Sequence, residues 1–412
     1  MENKKLKVGN VPPLRFPGFE EEWQTKRLGE IADKVNSGKT PLGGEAVYTK
    51  EGILFIRSQN VNNDRLELDN SVFIPESVNN QMKNSIVNPN DILLNITGAS
   101  LGRSCVVSND FKIGNVNQHV CIIRLSQQYN PRFIQPIFSS NKGQIIFNNL
   151  QTGSGREGLN FESIKGIKLF TPILDEQLKI ASFLSLIDER IQTQSKIIKQ
   201  LETLIKGLSE KIFSRKIRFR EFKDGWTLKS LGEICEKTKS GGTPKSTIKE
   251  YYEGNIPFLS ISDMTIQGKY LFSTERNISE LGLKSSASWI VPINSIIYSM
   301  YASVGFVSIN KIELATSQAV LNLIPKNEIN REYLYYYLVY FQKYVDKYIT
   351  TGTQGNLNAE TVKSFEIYLP TSKEQNTIVQ FLSSIDTKIE TEKNILDKYH
   401  SQKQYLLQNL FI

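Results

Sequence analysis

Histidine and cysteine are scarce in this chain of 412 residues, which contains two histidines and three cysteines. Cys105, Cys121 and Cys235 cannot form a disulfide framework in so long a chain, and this usage is typical of a reducing cytosol. The spacing of Cys105, His119 and Cys121 matches no zinc-binding pattern. With two histidines, a nucleophilic catalytic triad is almost excluded.

The sequence also lacks long apolar runs. No stretch approaches the roughly 18 apolar residues that a membrane span needs, and no apolar segment of a secretory signal follows the charged first residues. We therefore expect a cytoplasmic protein. Hydrophobic residues make up 39% of the chain, which is enough for ordinary cores. The net charge of +8 favours an acidic partner, nucleic acid before membrane.

The chain repeats itself after about 200 residues. The segment from Arg15 to Pro41 contains Arg-Phe, Leu-Gly-Glu-Ile and Ser-Gly-x-Thr-Pro in that order, and the segment from Arg218 to Pro244 contains the same motifs at the same spacing. Later, the pattern Pro-x3-Glu-Gln-x2-Ile-x2-Phe-Leu-Ser-x-Ile-Asp occurs at residues 172–188 and again at 370–386. Each copy therefore consists of a globular part followed by a segment of different character.

The globular parts contain short strand-like runs broken by turns, such as residues 52–56 and 256–259, and a helical pattern that is clearest from Glu332 to Tyr348. We predict an α+β fold with two repeated globular domains separated by two long antiparallel coiled-coil helices. The predicted boundaries are 1–14 for an N-terminal tail, 15–172 and 214–370 for the globular domains, and 173–213 and 371–412 for the helices.

The segments between and after the globular parts follow a heptad pattern, with apolar residues at alternating steps of four and three. Proline is absent between Leu174 and Ile212. In each segment this pattern forms an apolar stripe along one side of a helix. The stripe must be buried, and the other helix is the nearest partner. The predicted seam consists of Ile180, Leu184, Ile187, Ile191, Ile198, Leu201, Ile205, Leu208, Ile378, Leu382, Ile385, Ile389, Leu396 and Leu406.

Polar residues interrupt both stripes at Gln194, Glu392 and Lys403. They could fix the register of the helices or face a further protein. We favour register for Gln194 and Glu392, and both alternatives stay open for Lys403. An antiparallel pairing is expected, because a parallel one would need a long return connection for which the chain has no residues.

Motifs of catalysis are weak in this sequence. Ser37-Gly38-Lys39-Thr40 lacks the earlier glycine of a phosphate-binding loop, so we interpret it as a turn. Asp91 could belong to a nuclease metal site, but Asn294 takes its place in the second copy. We expect His119 to be a strand residue with a satisfied hydrogen bond. The tyrosines between Tyr333 and Tyr340 could stack on bases, but their helical spacing favours core packing.

These motifs, their order and their duplication resemble the specificity subunit of bacterial type I restriction-modification systems over nearly the whole chain. The resemblance implies that the globular parts are target recognition domains, which bind a bipartite, asymmetric site on double-stranded DNA. It also implies two modification subunits on the helices, which methylate adenine with S-adenosylmethionine, and restriction subunits driven by ATP and Mg²⁺. This chain would then bind no cofactor or metal and have no catalytic residues.

Residues that contact bases are expected where loops adjoin the shared framework and the two copies differ. Arginine suits guanine edges, and asparagine or glutamine suits adenine edges; for each candidate a solvated surface residue is the alternative. The candidates are Lys39, Arg57, Gln59, Asn60, Asn62, Thr97, Ser100, Arg103 and Arg156 in the first copy, and Lys245, Ser260, Ser262, Asp263, Tyr301, Ser303, Thr353, Gln354 and Asn356 in the second.

Two other classes of function compete with this interpretation. A non-enzymatic scaffold would carry two protein-binding domains on the coiled coil, and the positive charge argues mildly against it. A stand-alone methyltransferase with duplicated domains would bind S-adenosylmethionine without partners.

Overall fold

The computed structural model describes residues 9–62, 64–151, 158–349 and 356–412. The chain divides into two compact units. Unit 1 consists of Met1–Ser195 with Asn394–Ile412, and unit 2 consists of Lys196–Lys393. Each unit therefore contains one globular part, half of one long helix and half of the other.

Unit 1 contains two four-stranded sheets, and alternating apolar residues of both sheets form part of its core. The orders are β2-β11-β8-β9 and β6-β3-β10-β7, and short pairs join β1 to β12 and β4 to β5. The strands are β1 (Gln24–Arg27), β2 (Ala32–Ser37), β3 (Ile53–Ile56), β4 (Val61–Asn62), β5 (Arg65–Leu66), β6 (Val72–Ile74), β7 (Ile86–Val87), β8 (Ile92–Asn95), β9 (Ser104–Val106), β10 (Gly114–Val116), β11 (Val120–Leu125) and β12 (Lys168–Thr171).

The helices of the first copy pack against different faces of these two sheets. Asn130 caps α3, because its side chain accepts a hydrogen bond from the Arg132 N–H at 2.8 Å. The helices are α1 (Leu28–Ile31), α2 (Glu76–Gln81), α3 (Pro131–Ser139), α4 (Asn141–Leu150), α5 (Phe161–Lys165) and the long α6 (Leu174–Phe213).

Unit 2 repeats this arrangement, with the order β14-β21-β18-β19-β16 in one sheet and β17-β15-β20 in the other. Its strands are β13 (Thr227–Ser230), β14 (Cys235–Ser240), β15 (Ile256–Leu259), β16 (Tyr270–Leu271), β17 (Arg276–Ile278), β18 (Ile296–Ser299), β19 (Val307–Asn310), β20 (Ala315–Thr316), β21 (Val320–Pro325) and β22 (Glu366–Leu369). Its helices are α7 (Ile261–Gln267), α8 (Glu280–Lys284), α9 (Arg331–Phe341), α10 (Ala359–Lys363) and the long α11 (Ser372–Asn409).

The first strand of each globular part pairs with its last. Gln24–Arg27 runs antiparallel to Lys168–Thr171, and Thr227–Ser230 runs antiparallel to Glu366–Leu369. This closure brings the beginning of each globular part next to the first turn of the long helix that follows it.

The long helices pack in both units through their apolar stripes. In unit 1 the core includes Ile180, Leu184 and Ile187 together with Leu406 and Leu410. In unit 2 it includes Ile212 from α6 together with Ile378 and Leu382 from α11. The N-terminal half of each helix therefore packs with the C-terminal half of the other, as an antiparallel pair requires. Among the fourteen seam residues, Leu201, Ile205, Leu208, Ile385 and Leu396 are half-buried and the others are buried.

The α+β fold with repeated domains and antiparallel long helices is thus confirmed. The helical pattern from Glu332 to Tyr348 is also confirmed, since α9 ends at Phe341 and Gln342–Tyr348 continue as a tighter 3₁₀ helix. The tyrosines between Tyr333 and Tyr340 pack in the core or against it, as their spacing favoured. Within the described residues, no helix is long and apolar enough to cross a membrane.

A glycine in the Ser-Gly-x-Thr-Pro motif allows two backbone segments to touch in each unit. A Cβ on Gly38 would lie 1.6 Å from the Val116 carbonyl oxygen, and a Cβ on Gly241 would lie 1.8 Å from that of Thr316. Any side chain there would force the loop after β2 or β14 away from the sheet.

We predict that Gly38→Ala lowers the stability of unit 1 by more than about 2 kcal/mol, because this contact is with backbone that cannot move aside cheaply. The matched control is Gly207→Ala on α6, where a Cβ meets open space. The control should raise stability by about 0.8–1 kcal/mol through helix propensity. Urea unfolding followed by circular dichroism measures both changes, and equal effects would contradict the close approach.

Candidate nucleic-acid interface and helix anchors

Hydrogen bonds join several loops of unit 1 into one surface at the end of its sheets. The Thr40 hydroxyl donates to the Gln118 side-chain oxygen at 2.6 Å, which ties the loop after β2 to the turn before β11. The Thr97 hydroxyl lies 2.6 Å from Nδ1 of His119, which ties the loop after β8 to the same turn. His119 therefore lies in a turn and not in the expected strand, although its hydrogen bond is satisfied. Lys39 projects from this surface and is exposed.

A second group of candidates surrounds the hairpin of β4 and β5. The Arg103 guanidinium donates to the Asn62 side-chain oxygen at 2.6 Å, and the Asn62 amide donates to Glu67 at 3.0 Å. Arg103 is exposed, so its remaining N–H groups face outward. Arg57 is half-buried and lies over the ring of Tyr48.

Asn60 is buried and is engaged inside the protein. Its side-chain oxygen accepts from the Arg57 N–H at 3.0 Å, and its amide donates to the Glu67 carbonyl at 2.9 Å. These bonds shape the loop after β3, so a base contact would have to break them. Ser100 is half-buried and accepts a hydrogen bond from Asn95 at 3.1 Å.

Unit 2 builds the corresponding surface with the same framework contact and different side chains. The Thr243 hydroxyl donates to the Gln318 side-chain oxygen at 2.7 Å. Asp263, by contrast, is buried and accepts from the N–H and hydroxyl of Ser260 at 2.8 and 2.7 Å, which caps α7. Asp263 and Ser260 therefore hold the loop after β15 in shape.

The other candidates fall into clear classes of exposure. Lys39, Gln59, Arg103, Lys245, Ser262, Tyr301 and Ser303 are exposed, and Arg57, Asn62, Thr97, Ser100, Ser260 and Asn356 are half-buried. Arg156, Thr353 and Gln354 lie outside the described residues. The Leu357 N–H donates to the Met300 carbonyl at 2.9 Å, which places Asn356 beside Tyr301.

Two exposed lysines of unit 2 were missed by sequence reasoning. Lys237 and Lys239 are two residues apart on β14, which leads into the Ser-Gly-x-Thr-Pro loop. Their ammonium groups lie 4.0 and 5.7 Å from the ring centroid of Trp289. The period of two along a strand signals that both point to one face. Their contact with a tryptophan distant in sequence leaves no local signal.

The residues considered as candidates for a metal or catalytic site have structural roles. Asp91 is buried and binds the Arg124 guanidinium through both oxygens at 2.8 Å. Burial raises the pKa of Cys121 to about 12 and also raises that of Cys105. No group of three or more metal-ligating side chains occurs within the ranges that the structure describes.

The repeated Glu-Gln pair at the start of each long helix is almost fully buried. In α6, the Gln177 side-chain oxygen accepts from the Asn130 N–H at 2.9 Å, and its amide donates to the Pro172 carbonyl at 2.9 Å. Gln375 makes the same two bonds to Asn330 and Pro370, at 2.8 and 3.1 Å. The glutamine thus connects the first turn of each long helix to the first turn of α3 or α9.

The glutamate of each pair binds an arginine from the beginning of the same copy. Arg15 donates through Nε and Nη2 to Glu176 at 2.8 Å, and Arg218 donates in the same way to Glu374 at 2.8 and 2.7 Å. Hydrogen bonding to the carboxylate raises the pKa of both guanidinium groups. The repeated Arg-Phe motif and the repeated Glu-Gln motif therefore form one anchor in each unit.

A family model described as the type I restriction modification DNA specificity domain matches residues 20–203 and again residues 223–398. The chain belongs to this family. Each match begins within a globular part, after the repeated Arg-Phe motif, and runs into a long helix, so it contains the repeated Glu-Gln pair.

Curated relatives are named as specificity subunits of type I restriction enzymes. The specificity subunit of the type I restriction enzyme MjaIX from Methanocaldococcus jannaschii is 34% identical over 193 residues, which is 45% of this chain and 44% of that protein. The MjaVIII specificity subunit from the same organism is 26% identical over 433 residues, which covers 96% of this chain and 92% of that protein.

Solved structures of type I systems share the fold. The S subunit from M. genitalium has a TM-score of 0.58 at 19% identity and covers 98% of this chain and 99% of its own. A chain solved for the structural basis of complex assembly and conformational transition of the type I R-M system has a TM-score of 0.60 at 18% identity and covers 97% and 99%.

We predict that Arg15→Met destabilises unit 1 by about 3–5 kcal/mol, because it leaves Glu176 buried without its cation. The double variant Arg15→Met, Glu176→Met should recover most of this loss, since no charge stays buried. Lys165→Met, which removes the exposed ion pair with Glu162, is the matched control and should cost less than about 1 kcal/mol. Amide hydrogen exchange in the first turn of α6 measures the effect; equal protection in all three variants would contradict an anchoring role.

Proposed function

We propose that this chain is the DNA sequence-recognition subunit of a type I restriction-modification complex, and that each unit recognises one half of a bipartite, asymmetric site. The observation that carries the proposal is the double match to a DNA specificity domain, with one match on each globular part. The scaffold of two protein-binding domains is not favoured, because both globular parts match this DNA specificity domain.

The two loop surfaces support recognition of two different sequences. Both contain the Thr-Gln hydrogen bond between corresponding loops. Unit 1 presents Lys39 beside this bond and Arg103 beside the hairpin of β4 and β5, whereas unit 2 presents Lys245, Tyr301 and Ser303. A shared framework with different exposed side chains is what two half-sites of different sequence require. The lysines supply phosphate attraction without regard to sequence, and Arg103 can bind a guanine edge.

The chemistry of the complex is assigned to other subunits in this proposal. Two modification subunits would bind the long helices and carry S-adenosylmethionine, and restriction subunits would use ATP and Mg²⁺. This chain would bind none of these groups. Support comes from Asp91, whose two oxygens are occupied by Arg124, and from Cys105 and Cys121, which are buried as thiols.

We predict that replacing residues 15–172 by the corresponding part of another specificity subunit changes one half of the methylated site and leaves the other half unchanged. The physical reason is that the loops of each surface come from a single unit. The measurement is the sequencing of methylated adenines in cells that also produce the modification subunits.

The reciprocal replacement of residues 214–370 is the matched control and should change only the other half. A change in both halves with either replacement would show a single composite recognition surface. The purified chain without its partners should transfer no methyl group, and methyl transfer by it would contradict the division of labour.

A further inference from the structure

The repeated Ile-Asp motif of the long helices places one half-buried aspartate in each unit beside a lysine that is only 11% or 15% exposed. In unit 1 this residue is Asp188 on α6, and in unit 2 it is Asp386 on α11. Each receives a lysine, but the two lysines come from different parts of their units. The function proposed above does not account for this arrangement.

In unit 1 the lysine is Lys403, which interrupts the heptad stripe of α11. Its ammonium group lies 2.6 Å from Oδ1 of Asp188 and 2.6 Å from Oδ2 of Asp64. The Lys403 side chain is only 11% exposed. Burial disfavours its charge, but the two carboxylates raise its pKa, so it stays an ammonium ion at neutral pH. One cation therefore joins both long helices to a loop of the globular part.

Asp64 lies at the turn between β4 and β5 in a left-handed conformation, with φ of 69°. Its carboxylate also accepts hydrogen bonds from Gln135, at 2.6 Å, and from Ser139. The hairpin that Asp64 closes contains Asn62, whose side-chain oxygen holds Arg103 at 2.6 Å. Lys403 therefore pairs with a residue of the same hairpin whose Asn62 holds Arg103, an exposed arginine among the candidate DNA-contacting residues.

In unit 2 the lysine is Lys269, which comes from the globular part. Its ammonium group lies 2.8 Å from the Tyr336 hydroxyl and 3.4 Å from both Asp386 and Glu332. It also lies 4.3 Å from the centroid of the Tyr336 ring. The Tyr336 hydroxyl in turn donates to Asp386. The aspartate of the long helix is thus paired with a lysine in unit 2 as well, but this lysine belongs to the globular part and not to the other long helix.

Lys269 lies between α7 and β16, directly after Gly268. The α7 helix begins directly after Ser260, and the hydrogen bonds between Ser260 and Asp263 shape part of the candidate surface of unit 2. The corresponding hairpin of unit 1 follows the loop of Arg57 and Asn60. In both units, therefore, a lysine holds the segment that follows the same candidate loop, against both long helices in unit 1 and against α11 in unit 2.

Stability alone does not explain these networks, because well-packed apolar residues stabilise a buried position as well as a buried ion pair does. What a paired lysine adds is a fixed position for its partners, since an ammonium ion removed from its carboxylates is left uncompensated. Resting on the function proposed above, we infer that Lys403 and Lys269 are specificity-determining positioning residues, which hold the DNA-contacting loops of units 1 and 2 in place against the helices.

The test uses the complete modification complex and a library of randomised DNA targets. Lys403→Met should weaken discrimination in the half-site of unit 1 by about tenfold, which is the contribution of one well-placed base contact, and leave the other half-site unchanged. Lys269→Met should do the reverse. Each variant is thereby the control of the other, and Lys398→Met, an exposed lysine on the same helix as Lys403, should change neither half-site.

A neutral variant separates positioning from stability. Lys403→Met combined with Asp64→Asn and Asp188→Asn removes all three charges of this network and leaves none uncompensated, so it should regain wild-type thermal stability while discrimination by unit 1 stays impaired. It also carries the test if Lys403→Met alone does not fold. Faster amide exchange in residues 61–66 of the neutral variant would support the inference.

Full discrimination in the neutral variant would overturn the inference for Lys403, and unchanged discrimination in Lys269→Met would overturn it for Lys269. Failure of the proposed function gives a different result, because the wild-type complex would then show no sequence preference in either half of the library.

Discussion

The structure of each unit depends on how the first turn of a long helix is fixed to a globular part. A glutamate and a glutamine side by side in that turn are buried, at 1% exposure or less for Glu176, Gln177 and Glu374 and at 2% for Gln375. A buried carboxylate must be paired and hydrogen-bonded. The arginine that pairs with it comes from the beginning of the same copy. The ion pair therefore joins the beginning of each copy to the start of its long helix.

The anchor also explains why distant motifs recur together. The phenylalanine that follows each arginine packs edge-on against a phenylalanine of the helix, Phe16 against Phe183 at 5.5 Å and Phe219 against Phe381 at 5.7 Å. Arg-Phe and Glu-Gln-x5-Phe are therefore two sides of one contact. This contact sets the direction in which each helix leaves its globular part. The apolar heptad stripes then pair the two helices.

The repeat, the α+β character and the antiparallel helices could be predicted from the sequence because each leaves a periodic or duplicated signal. The roles of particular polar residues could not. Asn60, in a loop, and Asp263, in the first turn of α7, lie where the copies differ and base contacts are expected, yet both are buried and hold the loop beside them. Lys403 interrupts a heptad stripe, but its partner Asp64 lies far away in sequence. A single sequence shows local pattern and not which distant group a polar side chain meets.

The central claim is that each globular part recognises one half-site by itself, and that each part is held on one of two antiparallel helices. The most direct test replaces residues 214–370 by residues 15–172, so that both positions carry the first globular part, and determines the methylated site by sequencing. The account predicts that the asymmetric site becomes an inverted repeat of the half-site of unit 1. A site that stays asymmetric, or that keeps the half-site of unit 2, would contradict it.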